Sequence, residues 1–122
     1  MSQLELSLVV LRTADVSKTL SFYSALGLEF DQERHGQGVI HYACTLGTST
    51  IEIYPGSDGS AISPVQSGAT MLGFRVPNID AVLTKLQEVG YNTVLPTIQS
   101  TPWGRRIVLT EPDNRKVELT EF

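Results

Sequence analysis

Two stretches of the chain carry apolar residues at helical spacing, and a short apolar run precedes each of them. The first stretch lies between Asp15, a residue type favoured as a helix N-cap, and Gly27, a residue type favoured where a helix ends in a left-handed turn. Its apolar positions are three or four residues apart: Val16, Leu20, Tyr23 and Leu26. The pattern predicts a strand over residues 8–12 followed by an amphipathic helix.

The same arrangement returns at a constant offset of 63 residues. The run at 71–75 corresponds to the run at 8–12, Asn78 to Asp15, and Gly90 to Gly27. Strand-like stretches follow each predicted helix, at roughly 28–33, 38–46 and 49–55 in the first half and at roughly 91–96, 105–111 and 116–122 in the second. Each half is therefore predicted to be a βαβββ module.

Two such modules predict an α+β fold in one domain over residues 1–122. Module one spans about 1–56 and module two about 69–122, and the segment at about 56–68, rich in glycine and serine, is expected to be a linker. A single module would leave a sheet with unpaired edges and one bare face. We therefore expect the two sheets to pair and to curve as one mixed sheet around a shared cavity.

Side-chain alternation in the predicted hairpin gives candidate cavity residues. A two-residue turn at 47–48 places Ala43 opposite Glu52 and His41 opposite Tyr54, on a face of mixed polarity. The other face is apolar and is expected to pack under the helix: Ile40, Tyr42, Cys44, Leu46, Ile51 and Ile53. A mixed inner face is typical of a ligand-binding surface.

Two carboxylates occupy equivalent places in the two modules. Glu52 lies between apolar residues in the last predicted strand of module one, and Glu118 does so in the last predicted strand of module two. Such carboxylates are candidates for acid–base catalysis, although a glutamate at a sheet edge is commonly an exposed residue or an ion-pair partner. Arg106 shares the parity of Val108 and Thr110 and is predicted to face inward. There it could bind an anionic ligand or neutralise Glu118.

Composition and charge limit the classes of function. The 122 residues are 41% hydrophobic and 18% charged, which is typical of a packed domain, and a net charge of −4 offers no basic surface for nucleic acid or an anionic membrane. No apolar run is long enough to span a bilayer, and residues 1–5 lack the basic segment of a signal peptide. The lone Cys44 excludes an intrachain disulfide, so we expect a cytoplasmic protein.

Four segments carry a family pattern: ADVSKTLSFY at 14–23 with LGL at 26–28, IEI at 51–53, WGR at 103–105, and EPDNRKVEL at 111–119. Together with the paired modules, they make the chain similar to the vicinal oxygen chelate superfamily, which groups glyoxalase I, bleomycin-resistance proteins, fosfomycin-resistance enzymes and extradiol dioxygenases. The tail departs from the family turn, since Glu111, Asn114 and Arg115 replace the usual Asp, Gly and Asn. Asparagine tolerates a positive φ, so we expect the turn to form.

The resemblance implies where a metal would be bound. In metal-dependent members the ligands come from the first and last strands of each module, and the corresponding positions here are Leu8, Glu52, Met71 and Glu118. Leucine has no donor atom, and a thioether is a poor ligand for nickel, zinc, manganese or iron(II). The resemblance thus implies an apolar pocket floor in place of the usual divalent metal, and we expect no cofactor. It also implies a homodimer.

The histidines leave an alternative open. His41 lies on the same predicted face as Glu52, diagonally across the hairpin, and a cluster with Glu118 would have the composition of a metal site with two carboxylates and one histidine. The simpler interpretation is that His41 hydrogen-bonds Glu52 or a ligand. His35 lies beside Gly36 in a predicted loop.

Three further side chains are candidates on position alone. Trp103, in a predicted loop, could cap a cavity and contact a planar ligand, or could be an ordinary packing contact. Tyr54 could donate a hydrogen bond to a ligand or close the end of the hairpin. Cys44 lies on the packed face and is expected to be a buried apolar residue rather than a nucleophile.

The preferred hypothesis is a small-molecule-binding protein of the glyoxalase/bleomycin-resistance type. Its expected ligand-binding residues are Leu8, His41, Tyr54, Met71, Trp103 and Arg106. The alternative is a lyase, isomerase or dioxygenase-like enzyme in which Glu52 and Glu118 are catalytic, with a reduced or relocated metal site. The binding protein is preferred because the metal that enzymes of this superfamily use to stabilise an enolate or to bind vicinal oxygens has no visible ligand set.

Overall fold

A computed structural model describes residues 3–56 and 69–122. Module one contains β1 (Leu8–Thr13), α1 (Val16–Leu26), β2 (Asp31–Glu33), β3 (His41–Leu46) and β4 (Ser49–Pro55). Module two contains β5 (Met71–Val76), α2 (Ile79–Glu88), β6 (Gln99–Thr101), β7 (Gly104–Thr110) and β8 (Lys116–Glu121). The predicted pair of βαβββ modules and the α+β class are confirmed. The expected linker at about 56–68 lies outside the described residues, except for Gly56.

Each module has one four-stranded mixed sheet, in the order β1-β4-β3-β2 in module one and β5-β8-β7-β6 in module two. In both modules the first strand pairs in parallel with the last strand, and the other pairs are antiparallel. The predicted hairpin register is confirmed, since Ala43 pairs with Glu52 and Leu46 with Ser49 around a two-residue turn at 47–48. Gly47 in this turn has a φ of 56°, which favours glycine.

The predicted helix boundaries follow from their capping residues. The side chain of Asp15 accepts a hydrogen bond from the Lys18 amide, and Gly27 ends α1 with a φ of 116°. The side chain of Asn78 accepts from the Ala81 amide in the same way. These contacts satisfy amide groups that the first turn of a helix leaves without partners.

The strand predicted at 91–96 is wrong, because the second strand of module two is Gln99–Thr101 instead. The intervening chain packs as an irregular segment, in which the Tyr91 hydroxyl donates to the Thr110 carbonyl at 2.8 Å. Val94, in the middle of the predicted strand, is exposed. Pro96 has no amide hydrogen to contribute to a sheet, so pairing begins only beyond it.

The helices of the two modules join them into one core. Helix α1 packs against α2, and Tyr23 and Phe74 from different modules meet edge to face at a centroid distance of 6.3 Å. One cluster of buried apolar residues includes the undersides of both sheets. The expected pairing of the two sheets is not found among residues 3–56 and 69–122, where the sheets are separate. The modules meet instead through the faces that their helices cover.

A buried ion-pair network ties the turn between β7 and β8 to module one. Arg115 lies 2.8 Å from Glu111 and 3.5 Å from Asp113, all three being buried. Asp113 accepts hydrogen bonds from the Ala14 amide and the Thr19 hydroxyl. The turn forms as expected, with Asn114 at a φ of 70°.

Tyr23 joins this network from helix α1. Its hydroxyl donates to Glu111 at 3.2 Å, across the junction between the modules. Burial, and then the charge of Glu111, raise the pKa of Tyr23 far above its usual value. The phenol therefore remains a neutral donor in the folded protein.

Candidate functional site

The sheet face opposite the helix in each module, here called the open face, carries most of the candidate residues. In module one, alternation points Leu8 and Val10 of β1 to the open face, where they are 50% and 41% exposed, while Leu11 is buried under α1. Val10 pairs with Glu52 in the neighbouring strand, and Leu8 pairs with Thr50. The open face of module one thus has apolar side chains directly beside a carboxylate.

A column of stacked groups crosses this open face. The imidazole of His41 stacks on the Tyr54 ring at 4.3 Å with an interplanar angle of 7°, and the Arg12 guanidinium lies 4.9 Å from the centre of the same ring. His41 is only 1% exposed although it lies on the open face. The stack, rather than the core, buries it, so Tyr54 acts as a platform that fixes the histidine.

His41 lies between two carboxylates. Its Nε2 atom is 3.2 Å from Oε1 of Glu33 and 3.6 Å from Oε2 of Glu52, and its Nδ1 atom is 3.3 Å from the Val39 carbonyl. The sequence-based expectation paired His41 with Glu52, and the structure adds a shorter contact to Glu33. His35 also approaches Glu33, at 3.8 Å.

Glu33 was missed by the sequence analysis, and His35 was placed only in a loop. Both belong to the short strand β2 and the connection that follows it, and Glu33 pairs with His41 in register. Side-chain alternation along β2 could have identified Glu33, because it places Glu33 on the same sheet face as its pairing partner His41. Because β2 has only three residues, this alternation is hard to recognise in the sequence alone.

The open face of module two has a different chemistry. Arg106 lies on the same sheet face as Glu118, as its parity predicts, and its Nε atom donates to Oε1 of Glu118. Glu118 is thus neutralised by Arg106, one of the two roles foreseen for the arginine. Gly73 pairs with Glu118, and a Cβ atom at this glycine would lie 3.5 Å from Oε2 of Glu118. The glycine leaves open space beside the carboxylate.

Large apolar side chains surround this second open face. Met71 is 51% exposed, Trp103 86% and Phe122 85%, and Arg75 approaches the Phe122 ring at 5.7 Å. Trp103 contacts no cavity wall as a cap would, since it projects into solvent. Met71 and Phe122 share this face by strand alternation, Trp103 lies in the turn before β7, and exposed apolar groups of this size are typical of a binding surface.

Arg105 points to the other side of the sheet, as its parity predicts. Its guanidinium lies 2.9 Å from Asp80 and 3.2 Å from Glu121. The hydrogen bond to Asp80 raises the pKa of Arg105 and lowers the pKa of Asp80. This surface ion pair joins β7 to α2 and takes no part in either open face.

Cys44 is buried, as predicted from its place on the packed face. Its Sγ atom lies 3.8 Å from the neighbouring Thr45 carbonyl. Leu46 and Ile40, assigned to the same packed face, are 39% and 43% exposed because they lie at the ends of the strand. The helix therefore covers only the middle of the hairpin.

The four positions that would hold the superfamily metal do not fit one. Leu8 and Met71 supply no suitable donor, and the carboxylate of Glu118 is bonded to Arg106. Glu52 alone keeps a free approach to the open face. No chemical step can be derived through a metal at these positions.

Two clefts lie elsewhere, along the junction of the modules. One, of about 530 Å³, is lined by the first half of α1 and by residues after α2, including Lys18, Phe22, Tyr91 and Glu111. The other, of about 420 Å³, lies between the end of α1 and the start of α2. Both are grooves related by the internal repeat, and neither is lined by the candidate site residues of the open faces. None of the described helices has the length and apolarity to cross a membrane.

Solved structures share this fold over nearly their whole length. An antibiotic-binding protein from Streptomyces sp. CB03234, TnmS3, is 20% identical with a TM-score of 0.70, covering 99% of this chain and 98% of that chain. A bleomycin resistance determinant encoded on the transposon Tn5 is 18% identical with a TM-score of 0.64, covering 97% and 98%. The oxidase ChaP-H2 is 16% identical with a TM-score of 0.70, covering 99% and 95%.

At these identities the structural likeness establishes the fold alone. No curated protein matches the chain. The sequence profile of one family does match, over residues 5–119, which is nearly the whole chain. The two βαβββ modules and the turn carrying Asn114 agree with this match. The chain belongs to the Glyoxalase/Bleomycin resistance protein/Dioxygenase superfamily.

Proposed function

We propose that the protein binds a small organic molecule on its open faces, without a metal at the superfamily's ligand positions. The observation that carries the proposal is the pair of apolar side chains, Leu8 and Met71, at the positions where metal ligands stand in metal-dependent members. Both are about half exposed, at 50% and 51%. They would form an apolar floor for the ligand.

The surrounding groups support a ligand with a flat apolar part and a polar edge. Trp103 offers an accessible indole to the flat part, while Tyr54, whose ring is stacked on His41 and lies under Arg12, would contribute its hydroxyl to the polar edge. Glu52 and the Arg106–Glu118 pair supply polar contacts that would orient the ligand. Similar folds occur in an antibiotic-binding protein and a bleomycin resistance determinant. Sequestration of an antibiotic-like molecule fits these features.

A second copy of the chain would complete the pocket. Each open face is a shallow sheet surface, whereas a ligand pocket usually encloses most of its ligand. The two open faces of one chain belong to separate sheets, joined on their other sides through the helices. We propose a homodimer in which the open face of module one meets the open face of module two of the partner copy, acting in the cytoplasm.

An enzyme remains the second candidate, because Glu52 is positioned as a base would be. Its side chain is 17% exposed and lies 3.6 Å from the His41 imidazole. A carboxylate held in this way could remove a proton from a carbon acid bound on the open face. Glu118 is less suited to this role because Arg106 already occupies it.

Fluorescence of Trp103, the only tryptophan in the chain, tests the proposal. Tag-free protein is titrated with bleomycin and with a panel of planar aromatic antibiotics, in buffer containing EDTA so that metal binding plays no part. Saturable quenching is expected for at least one compound. The variant Leu8→Asp should weaken that binding by at least about tenfold, because a charge would replace the apolar floor.

The control variant is Val94→Asp, which introduces the same charge at an exposed apolar side chain away from both open faces. It should bind as the wild type does. Equal binding by both variants would contradict the proposed site. A bound compound that is converted to product, with conversion lost in Glu52→Gln, would instead support the enzyme.

A further inference from the structure

We propose that Glu33, His35 and His41 bind a first-row divalent transition-metal ion, at a place distinct from the superfamily's ligand positions. The chain has only two histidines, and the fold brings both to this place with ring centroids 5.1 Å apart. One ligand atom from each of the three residues lies within 4.8 Å of the other two. This cluster is here called the β2–β3 cluster.

The distances suit coordination by a single ion. Ligands about 2.0–2.1 Å from a tetrahedral zinc ion lie about 3.3 Å from one another. Oε1 of Glu33 lies 3.2 Å from Nε2 of His41 and 3.8 Å from Nε2 of His35. The exposed His35 side chain would close the remaining distance to complete this part of the shell.

The hydrogen bonding of His41 gives an independent reason for a cation. Its Nδ1 atom contacts the Val39 carbonyl, which can only accept a hydrogen bond. If Nδ1 carries the proton, the Nε2 lone pair of the neutral ring faces carboxylate oxygens of Glu33 and Glu52, which are acceptors as well. A metal ion at Nε2 would satisfy every one of these groups; a second ring proton would do so too, and zinc titration separates the two. Donation from the other ring nitrogen to a backbone carbonyl is also the usual support of a metal-binding histidine.

The donor set indicates which ions fit. Two imidazole nitrogens and a carboxylate favour zinc, nickel, cobalt(II) or iron(II) over calcium and magnesium, which prefer oxygen ligands. His35 is 76% and Glu33 40% exposed, so the outer side of the β2–β3 cluster stays open for water or an oxygen ligand.

This inference goes beyond the proposed function, because the organic ligand is expected to bind with metal removed. Tag-free protein stripped with a chelator is titrated with Zn²⁺ alone and followed by calorimetry. We expect one ion per chain. Loss of an outer-sphere partner weakens metal binding by about 10–100-fold. Because Glu33 and His35 would be ligands, Glu33→Gln and His35→Ala should each weaken zinc binding by more than that.

The matched control is Asp31→Asn, which removes the same charge two residues away on the same strand and face as Glu33. Its zinc affinity should equal that of the wild type. Because His35 is 76% exposed, His35→Ala should leave the fold intact, and an unchanged circular dichroism spectrum and urea midpoint of the variant check this. A loss of zinc binding with folding unchanged then reports the loss of a ligand.

Nuclear magnetic resonance of the two imidazoles provides a second measurement, since bound zinc should shift the signals of both histidines. No zinc binding by the wild type would overturn the proposal. Zinc that binds equally to wild type, Glu33→Gln and His35→Ala, or that leaves either imidazole signal unchanged, would also overturn it.

Discussion

Replacing Arg115 with alanine is expected to destabilise the protein severely, because its guanidinium is buried between two carboxylates. Its Nη1 atom lies 2.8 Å from Glu111 and 3.5 Å from Asp113, and these carboxylate side chains are 0% and 4% exposed. Nη2 also donates to the Arg12 carbonyl. Breaking a buried pair by removing one partner costs about 3–5 kcal/mol. Since single domains are stable by about 5–15 kcal/mol, this is a large share of the total.

Urea unfolding followed by circular dichroism measures the effect. With a slope of about 2 kcal/mol per molar urea, the midpoint for Arg115→Ala should fall by about 1.5–2.5 M. The control is Arg105→Ala, because Arg105 also pairs with two carboxylates, Asp80 and Glu121, but lies at the surface. Its midpoint should barely change. If the two arginine variants unfold at the same urea concentration, burial of the pair does not determine its contribution, and the reasoning is refuted.

Two other predictions concern Tyr23 and the cap of α2. The pKa of Tyr23 is raised by burial and by Glu111, so the folded protein keeps a proton that the unfolded chain loses above about pH 10. The raised pKa of Tyr23 therefore contributes its full stability below that pH and less above it. The urea midpoint of the wild type should fall between about pH 9 and 11, and Tyr23→Phe should make this fall smaller. An equal fall in both proteins would contradict the prediction. Asn78→Ala should cost about 1 kcal/mol in urea unfolding because the Ala81 amide loses its acceptor, while Asn92→Ala, outside any helix, should cost much less.

The parts of the fold that were predictable from the sequence are those specified by local chemistry. Glycine at position 47 and alternation on either side of it determined the hairpin register, and with it the pairing of Ala43 with Glu52. Asp15 and Asn78 determined the starts of both helices through their own side chains. These features depend on neighbours within a few residues, so the sequence carries them directly.

Features that depend on distant contacts were harder to predict. The segment near Val94 has a strand-like composition, but the core takes up Tyr91 and Leu95 on its flanks and the strand forms later. The approach of Glu33 and His35 to His41 requires the register of β2 against β3 across a long connection, which alternation alone cannot supply. The association of the modules through their helices depends on which apolar faces are larger, which is a property of the assembled core.

The network around Arg115 also makes the junction between the modules directional. Its hydrogen-bond donors in module one are the Ala14 amide, the Thr19 hydroxyl and the Tyr23 hydroxyl. The positions that correspond to these three in the internal repeat offer no such donors: Pro77, Val82 and Leu86. A module-two half docked on a copy of itself would therefore deprive Asp113 and Glu111 of these three donors, leaving Arg115 as the side chain that pairs with both. Although the halves repeat each other in architecture, each recognises the unlike half, and this discriminates against mispaired halves during folding.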